Sequence, residues 1–424
     1  MAPQRFSARG VAAGIVAAAA AALVSPAHAA KSTNASVVIF TYESNMAWAL
    51  DTPWKWREEF ASHAGIAKEA VEVYELPEAL AIVQAAAAAD VDDARPYPDV
   101  LFGLDNVLQH EYSGDLLIEY DSPEKIHIIP SLLEAVNSTE AQPIIPYDHS
   151  VMAIVIDKQV LQERAPAVYE LMTRPDFHLI DMITNASAIF PHVVLPNPTT
   201  SGAGINFLTW TIAVLGDNER GVTGSYTGSP NLDYRDFWRA LKDNGATLYK
   251  GWGDAFEDFL DEKHPIVFSY ATDPAYAHCA NSTKEYIAVF SKDDDATLRG
   301  WYTIEGIGLT TYAAQNITGR VEMAKRFIDF VLSEEFQSQT ALNNWMFAAR
   351  QNIPAPECFA EVNVTDSIPS VNEYLPAGKV HMYLMPWLRE VGGIVNDSSP
   401  AAMPKAAGAW TVAVAVLAVL ALAF

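Results

Sequence analysis

The feature that most constrains the fold is a regular alternation of short apolar segments with helical patterns. Residues 36–42 (Ser-Val-Val-Ile-Phe-Thr-Tyr) read as a buried strand that ends in polar residues. A helical stretch follows at 54–63, then a strand at 71–74, an alanine-rich helix at 78–89 and a third strand at 98–103. This β-α-β-α-β order predicts an open parallel sheet with helices on both faces. Ligands of such sheets sit beyond the C-terminal ends of the strands, here Thr41-Tyr42-Glu43-Ser44 and Gly103-Leu104-Asp105-Asn106. Further strands are expected at 151–156 and 265–270. An amphipathic helix is expected over Met323, Ala324, Phe327, Ile328, Phe330 and Val331.

A second organising segment is Pro196-Asn197-Pro198-Thr199-Thr200-Ser201-Gly202-Ala203-Gly204. The prolines force an extended entry, and hydroxyls stand where a helix should begin. The apolar run then continues to Leu215 and stops at Gly216, a natural C-terminal cap. Such a start offers free N–H groups and a partial positive charge to a phosphate or carboxylate.

The chain has 424 residues, half of them hydrophobic, enough for a two-lobed protein with a sizeable core. Its formal charge of −25 argues against nucleic-acid binding and favours a neutral or cationic small ligand. Residues 1–30 read as a secretory signal, with Arg5 and Arg9 before an apolar stretch and Ala27-His28-Ala29 as the cleavage site. At the other end, Asn396-Asp397-Ser398-Ser399, a short spacer and an apolar 406–424 match a glycosylphosphatidylinositol anchor signal. A single retained membrane helix is the competing reading. Either way the expectation is a protein held at the cell surface by its C-terminal segment (396–424). Glycosylation sequons stand at Asn34, Asn137, Asn185, Asn281, Asn316, Asn363 and Asn396. The two cysteines, Cys279 and Cys358, predict one disulfide in an oxidising compartment.

Several strand ends carry aromatic residues beside acids. Tyr42 precedes Glu43, with Trp48 close by; Trp252 precedes Asp254; Tyr270 and Tyr276 flank Asp273; Trp345 comes late. Rings and carboxylates together describe a cleft for a flat cation.

These motifs resemble, in order, those of the periplasmic thiamine-binding proteins of bacterial ABC importers. They are Tyr-Glu-Ser at 42–44, Gly-Leu-Asp-Asn at 103–106, Pro-Tyr-Asp at 146–148 and Pro198-Thr199-Thr200-Ser201. Gly251-Trp252, Ser269-Tyr270, Asp273-Pro274-Ala275-Tyr276 and Asn344-Trp345-Met346 complete the series. The resemblance implies a type II periplasmic-binding-protein-like α/β fold: two lobes joined by two crossing strands, with a ligand cleft between them. The expected division is 31–146 plus 271–395 for one lobe and 147–270 for the other. By the same resemblance Tyr42, Trp252, Tyr276 and Trp345 would enclose thiamine. Thr200, Ser201 and Gly202, with Tyr270, would face its hydroxyl or phosphate end, and Glu43 and Asp105 would lie near its pyrimidine and cationic ring.

The sequence departs from that pattern at Glu43, where the bacterial proteins carry aspartate, at His149, where they carry an aromatic, and in the glycine-rich 202–204. The expected function is extracellular capture of thiamine or its phosphates for uptake. It would be carried out by a monomer without cofactor, metal or catalytic residues, its transporter partner unnamed. Two alternatives share the fold. One is a thiaminase-like enzyme, which needs a cysteine nucleophile. The other is a binder of ferric ion or another small solute, with Tyr270 and Tyr276 as oxygen ligands. His149 and His278 are expected to be structural.

Overall fold

The computed structural model describes residues 35–396, apart from 51, 78, 90–94, 112–114, 138–140, 281, 295–296, 316–318, 361 and 363–369. The leader at 1–30, the tail at 397–424 and the sequons at Asn34, Asn281, Asn316 and Asn363 lie outside the described residues. Among the described residues no helix is long and apolar enough to cross a membrane.

Among the described residues the main strands are β1 (Val37–Tyr42), β2 (Val71–Leu76), β3 (Val100–Asp105), β4 (Ile145–Asp157), β5 (Val193–Pro196), β6 (Thr247–Tyr249), β7 (Ile266–Tyr270), β8 (Tyr286–Val289) and β9 (Trp301–Thr310). They form one sheet in the order β2-β1-β3-β9-β4-β7-β5-β6, with β8 paired to β4. The short strands Leu117–Ile118 and Phe347–Ala348 join it beside β9 and β4. Strands β2, β1 and β3 run parallel, as do β7, β5 and β6. Each set is rich in Val, Ile, Leu and Phe because helices cover both faces.

The all-parallel expectation needs one correction. β9 runs antiparallel to both β3 and β4, and β4 runs antiparallel to β7. These two middle strands cross between the parallel sets, so the sheet is mixed. β4 is also longer than the predicted 151–156. It pairs with β9 at its start and with β7 and β8 at its end. The return crossing falls at Trp301 rather than after Tyr270. Residues of β8 still pair with the far end of β4, so the segment from 271 to 289 stays beside the second set of strands. The helix Ala377–Asn396 touches both strand sets. Its Glu390 accepts hydrogen bonds from Tyr234 and Arg235, on helix Tyr234–Asp243 of the second set, and its His381 ring lies 6.2 Å from that of His110, which follows β3.

The predicted helix after the Thr-Thr-Ser segment is Gly202–Leu215, entirely buried, with Ser201 at its N-cap and Gly216 at its C-cap. Cys279 and Cys358 form a disulfide across 79 residues of sequence, with Cα atoms 5.0 Å apart. It fastens the helix Pro274–Cys279 beneath the Trp345 region, where Phe347 and Phe359 form a small separate core. Asn137 and Asn396 are exposed; Asn185 is half-buried, and its amide donates to the Asp181 carbonyl.

Candidate ligand-binding site

The polar ends of the two strand sets meet around an open cleft. The first set supplies Tyr42, Glu43 and Ser44 after β1 and Asp105 at the end of β3. The second set supplies Ser201, Gly202 and Ala203, Trp252 and Gly253, and Tyr270 and Asp273. The crossing strand β9 adds Glu305, and the turn after helix Thr340–Asn344 adds Trp345 and Met346.

The cleft therefore gathers Tyr42, Glu43, Asp105, Ser201, Gly202, Trp252, Tyr270 and Trp345. Three other expected residues stand elsewhere. Trp48 is fully buried, packed 4.4 Å from Phe336 and 6.0 Å from Trp54 between ring centroids. Five residues along a helix from Glu43, it lies about 140° around the axis and faces the core. Thr200 donates its hydroxyl to the Lys250 carbonyl at 2.7 Å and ties the loop to its neighbour. Tyr276 stands behind the wall, its ring 5.2 Å from that of Trp345.

The aromatic walls are fixed from behind. Trp252 stacks on Phe256 at 4.9 Å and donates its indole N–H to Ser269 Oγ at 2.7 Å. Trp345 takes a left-handed backbone, φ 57°, unusual for a bulky residue, and its ring lies parallel to Phe359 at 6.3 Å. The Tyr42 ring lies against Gly103, whose φ is +103°; a Cβ there would stand 2.3 Å from Tyr42 Cε1. Gly204, in contrast, makes room for the chain itself: a Cβ would meet the Pro196 and Asn197 backbone at 2.7 Å.

Charge in the cleft has one sign. Glu43, Asp105, Asp273 and Glu305 line it, and no described lining residue is Lys, Arg or His. Burial pushes each carboxyl upward: Glu43 to about 7, helped by Asp254 and Glu75, and Asp273 to about 7. Asp105 rises to about 6, restrained by the backbone N–H groups of Val107 and Leu108 and by Asn206. Burial lifts Glu305 to about 7, although Tyr42 donates to it at 2.7 Å and Tyr147 at 2.5 Å. At the helix start, Ser201 Oγ is fully buried, has no hydrogen-bond partner and makes no side-chain cap. Among the described residues no group of three or more His, Cys, Asp or Glu is placed to hold a metal ion.

Sequence reasoning missed Glu305 as a site residue. Its signal was present: one acid in the otherwise uncharged run Trp301-Tyr302-Thr303-Ile304-Glu305-Gly306-Ile307. Asp273 and Met346 stood in quoted motifs without a role.

No protein-family model matches the chain. The thiamine-binding periplasmic protein of Brucella suis is 26% identical over 245 residues, 58% of this chain and 62% of that protein. The Escherichia coli protein of the same description is 24% identical over 293 residues, 69% of this chain and 76% of its own length. The chain resembles bacterial thiamine-binding periplasmic proteins. A solved periplasmic thiamin binding protein superposes with a TM-score of 0.61 at 20% identity, covering 85% of this chain and 96% of that one. Iron-bound HitA from Pseudomonas aeruginosa superposes with a TM-score of 0.58 at 14% identity, covering 84% and 99%. The fold is that of the type II periplasmic binding proteins. The Brucella alignment spans less than two thirds of that protein's own length.

Proposed function

We propose that this protein is an exported solute-binding protein that captures thiamine, or its phosphate esters, in the cleft between the strand sets. The observation that carries the reading is the pairing of Trp252, Tyr42, Tyr270 and Trp345 with four carboxylates and no lining cation. Thiamine carries a permanent thiazolium charge and a flat aminopyrimidine. Rings hold such groups by stacking and cation–π contact, each desolvated contact contributing up to about 2 kcal/mol. The unpartnered Ser201 hydroxyl and the N–H groups of helix Gly202–Leu215 would receive the hydroxyethyl or phosphate end. Similarity to proteins described as thiamine-binding supports the same reading.

The thiaminase-like alternative requires a thiolate. The chain has two cysteines, and both stand in the disulfide. A bare ferric ion would leave Trp252 and Trp345 without a role, and Tyr276 stands behind the cleft wall rather than in it. The protein would then stand at a cell surface, glycosylated and held by its C-terminal segment. The support for this is the leader at 1–30, the sequons and the tail at 396–424. Release from intact cells by a phosphatidylinositol-specific phospholipase tests the anchor. Retention, or peptides from 409–424 in the mature protein, favours a membrane helix.

Native mass spectrometry and calorimetry of the secreted form test the ligand. A 1:1 complex with thiamine, recovered chemically unchanged, is expected. Absence of binding by thiamine and both phosphate esters refutes the reading, and recovery of free thiazole turns it to the enzyme. Replacing Ser201 by alanine should weaken the phosphate esters more than thiamine.

A further inference from the structure

Strands β4 and β9, which cross between the two strand sets, place Asp148 and Glu305 directly opposite each other in register. Asp148 is fully buried and Glu305 is 7% exposed. Like charges facing each other across an antiparallel pair repel even at a surface, and a buried, unpaired anion is costly. Among the described residues no Lys or Arg acts on either carboxyl. Tyr42 on β1, Tyr147 on β4, Tyr270 at the end of β7 and Asp105 on β3 face Glu305; Asn344 faces Asp148. His149, the next residue on β4, packs 5.8 Å from Phe347.

The hydrogen bonds divide the two acids. Both phenols donate to Glu305, which therefore stands as the acceptor. Asp148 takes one hydrogen bond, from Asn344 at 2.6 Å to Oδ2, and its Oδ1 has no partner. Burial and the Glu305 charge both push Asp148 well above the usual carboxylate range. Only Glu305 of the two reaches the cleft surface.

We propose that Glu305, backed by Asp148, makes the cleft selective for a permanently charged ligand, and that cation entry expels a proton from the pair. The inference rests on the cleft being a site for a thiamine-class cation. In the empty cleft the pair holds at least one proton between its two carboxyls. A cation beside Glu305 favours its ionised form and offsets the repulsion that, together with burial, keeps the pair protonated. An O–H bond of the pair then breaks, its electron pair stays on the carboxylate and the proton leaves to solvent past Glu305, the member of the pair that reaches the cleft. A neutral ligand of the same shape leaves the repulsion, and the proton, in place.

The test is calorimetry at pH 7 in two buffers of different ionisation enthalpy, which counts protons exchanged on binding. The probes are thiamine and an isostere in which an uncharged thiophene replaces the thiazolium. Both carry the same pyrimidine, so the difference in proton count isolates the ring charge. Thiamine should release more protons than the isostere, and Glu305→Gln and Asp148→Asn should each reduce that difference, the remainder coming from Glu43 and Asp273. The preference of the native protein for thiamine over the isostere should fall by about tenfold in Glu305→Gln, the equivalent of one pKa unit. Equal proton counts for the two ligands in the native protein overturn the proposal without any variant, as does unchanged selectivity in Glu305→Gln. Failure of thiamine to bind the native protein overturns the functional reading beneath it.

Discussion

Trp252 and Trp345 reach the cleft from two different small cores, the first anchored on Phe256 and Ser269, the second on Phe359. As central aromatic anchors, each should lose about 2 kcal/mol of thiamine binding on replacement by alanine, roughly thirtyfold in affinity. Titration calorimetry of folded variants measures this directly. Trp48→Ala should behave oppositely. A fully buried tryptophan packed on Phe336 should cost about 3–5 kcal/mol of stability, with affinity nearly unchanged in the molecules that remain folded. Denaturant unfolding beside a binding isotherm separates the two tryptophan classes. Gly103→Ala should lose both properties, because the new Cβ displaces the Tyr42 ring and the +103° backbone angle resists any side chain.

At the scale of elements, the disulfide is the fastening of the late wall. It holds helix Pro274–Cys279, which carries Tyr276, against the segment Glu357–Phe359, which supports Trp345. Removing it by Cys279→Ser with Cys358→Ser should lower stability by about 2–5 kcal/mol. Because Trp345 and Tyr276 then lose their shared backing, thiamine affinity should fall as well. Equal affinity in the two forms, measured where both are folded, would show that the wall stands without its fastening. The crossing strands make a second point. Gly306 and Gly308 in β9 admit Ile144 and Leu117 at distances that a Cβ would violate, 2.7 Å and 2.4 Å. Glycine interrupts the pattern of a strand for this reason, and β9 could not be read from periodicity.

The whole molecule carries an acid-rich cleft that it must keep folded without a ligand. The folded-state values of Glu43, Asp273 and Glu305, each about 7, lie above their ordinary values of 4.5, 3.8 and 4.5. Groups raised in this way stabilise the fold below their unfolded values, and that contribution is lost as pH rises through the folded ones. His110, held down to about 4 by burial and by His381, works in the other direction, but only below its ordinary 6.5. Between about pH 6.5 and 8, therefore, the ligand-free protein should lose stability as pH rises. Differential scanning calorimetry across that window reads the change. A melting temperature that climbs from pH 6.5 to 8 would contradict the burial of these acids in the cleft wall. Saturating thiamine should flatten the slope, because a bound cation lowers the cost of the charged carboxylates.

Local signals carried much of the architecture. The strands at Val37, Val71, Val100 and Ile266 and the capped helix Gly202–Leu215 follow from short-range hydrophobic period and from Gly216 at the cap. The likeness of ordered motifs pointed to a cleft of rings and acids, because each motif sits at a strand end or helix start where the chain turns. Other features depended on partners distant in sequence. Trp48 and Tyr42 are both aromatic and six residues apart, yet one is core and the other cleft, since helix rotation and the packing of Phe336 decide it. The second crossing, the role of Glu305 and the facing of Asp148 all arise from pairing β9 with β4, strands far apart in the chain. The helix Ala377–Asn396 carries Pro386 within it and the pair Gly392-Gly393, breakers by local rule. Burial of Leu384, Trp387 and Val391 and the hold of Arg220, Tyr234 and Arg235 on Glu390 outweigh that local preference. Chain-local propensity is worth a few tenths to about 3 kcal/mol per residue, so it sets elements where nothing opposes it and yields where long-range packing and charge pairing exceed it.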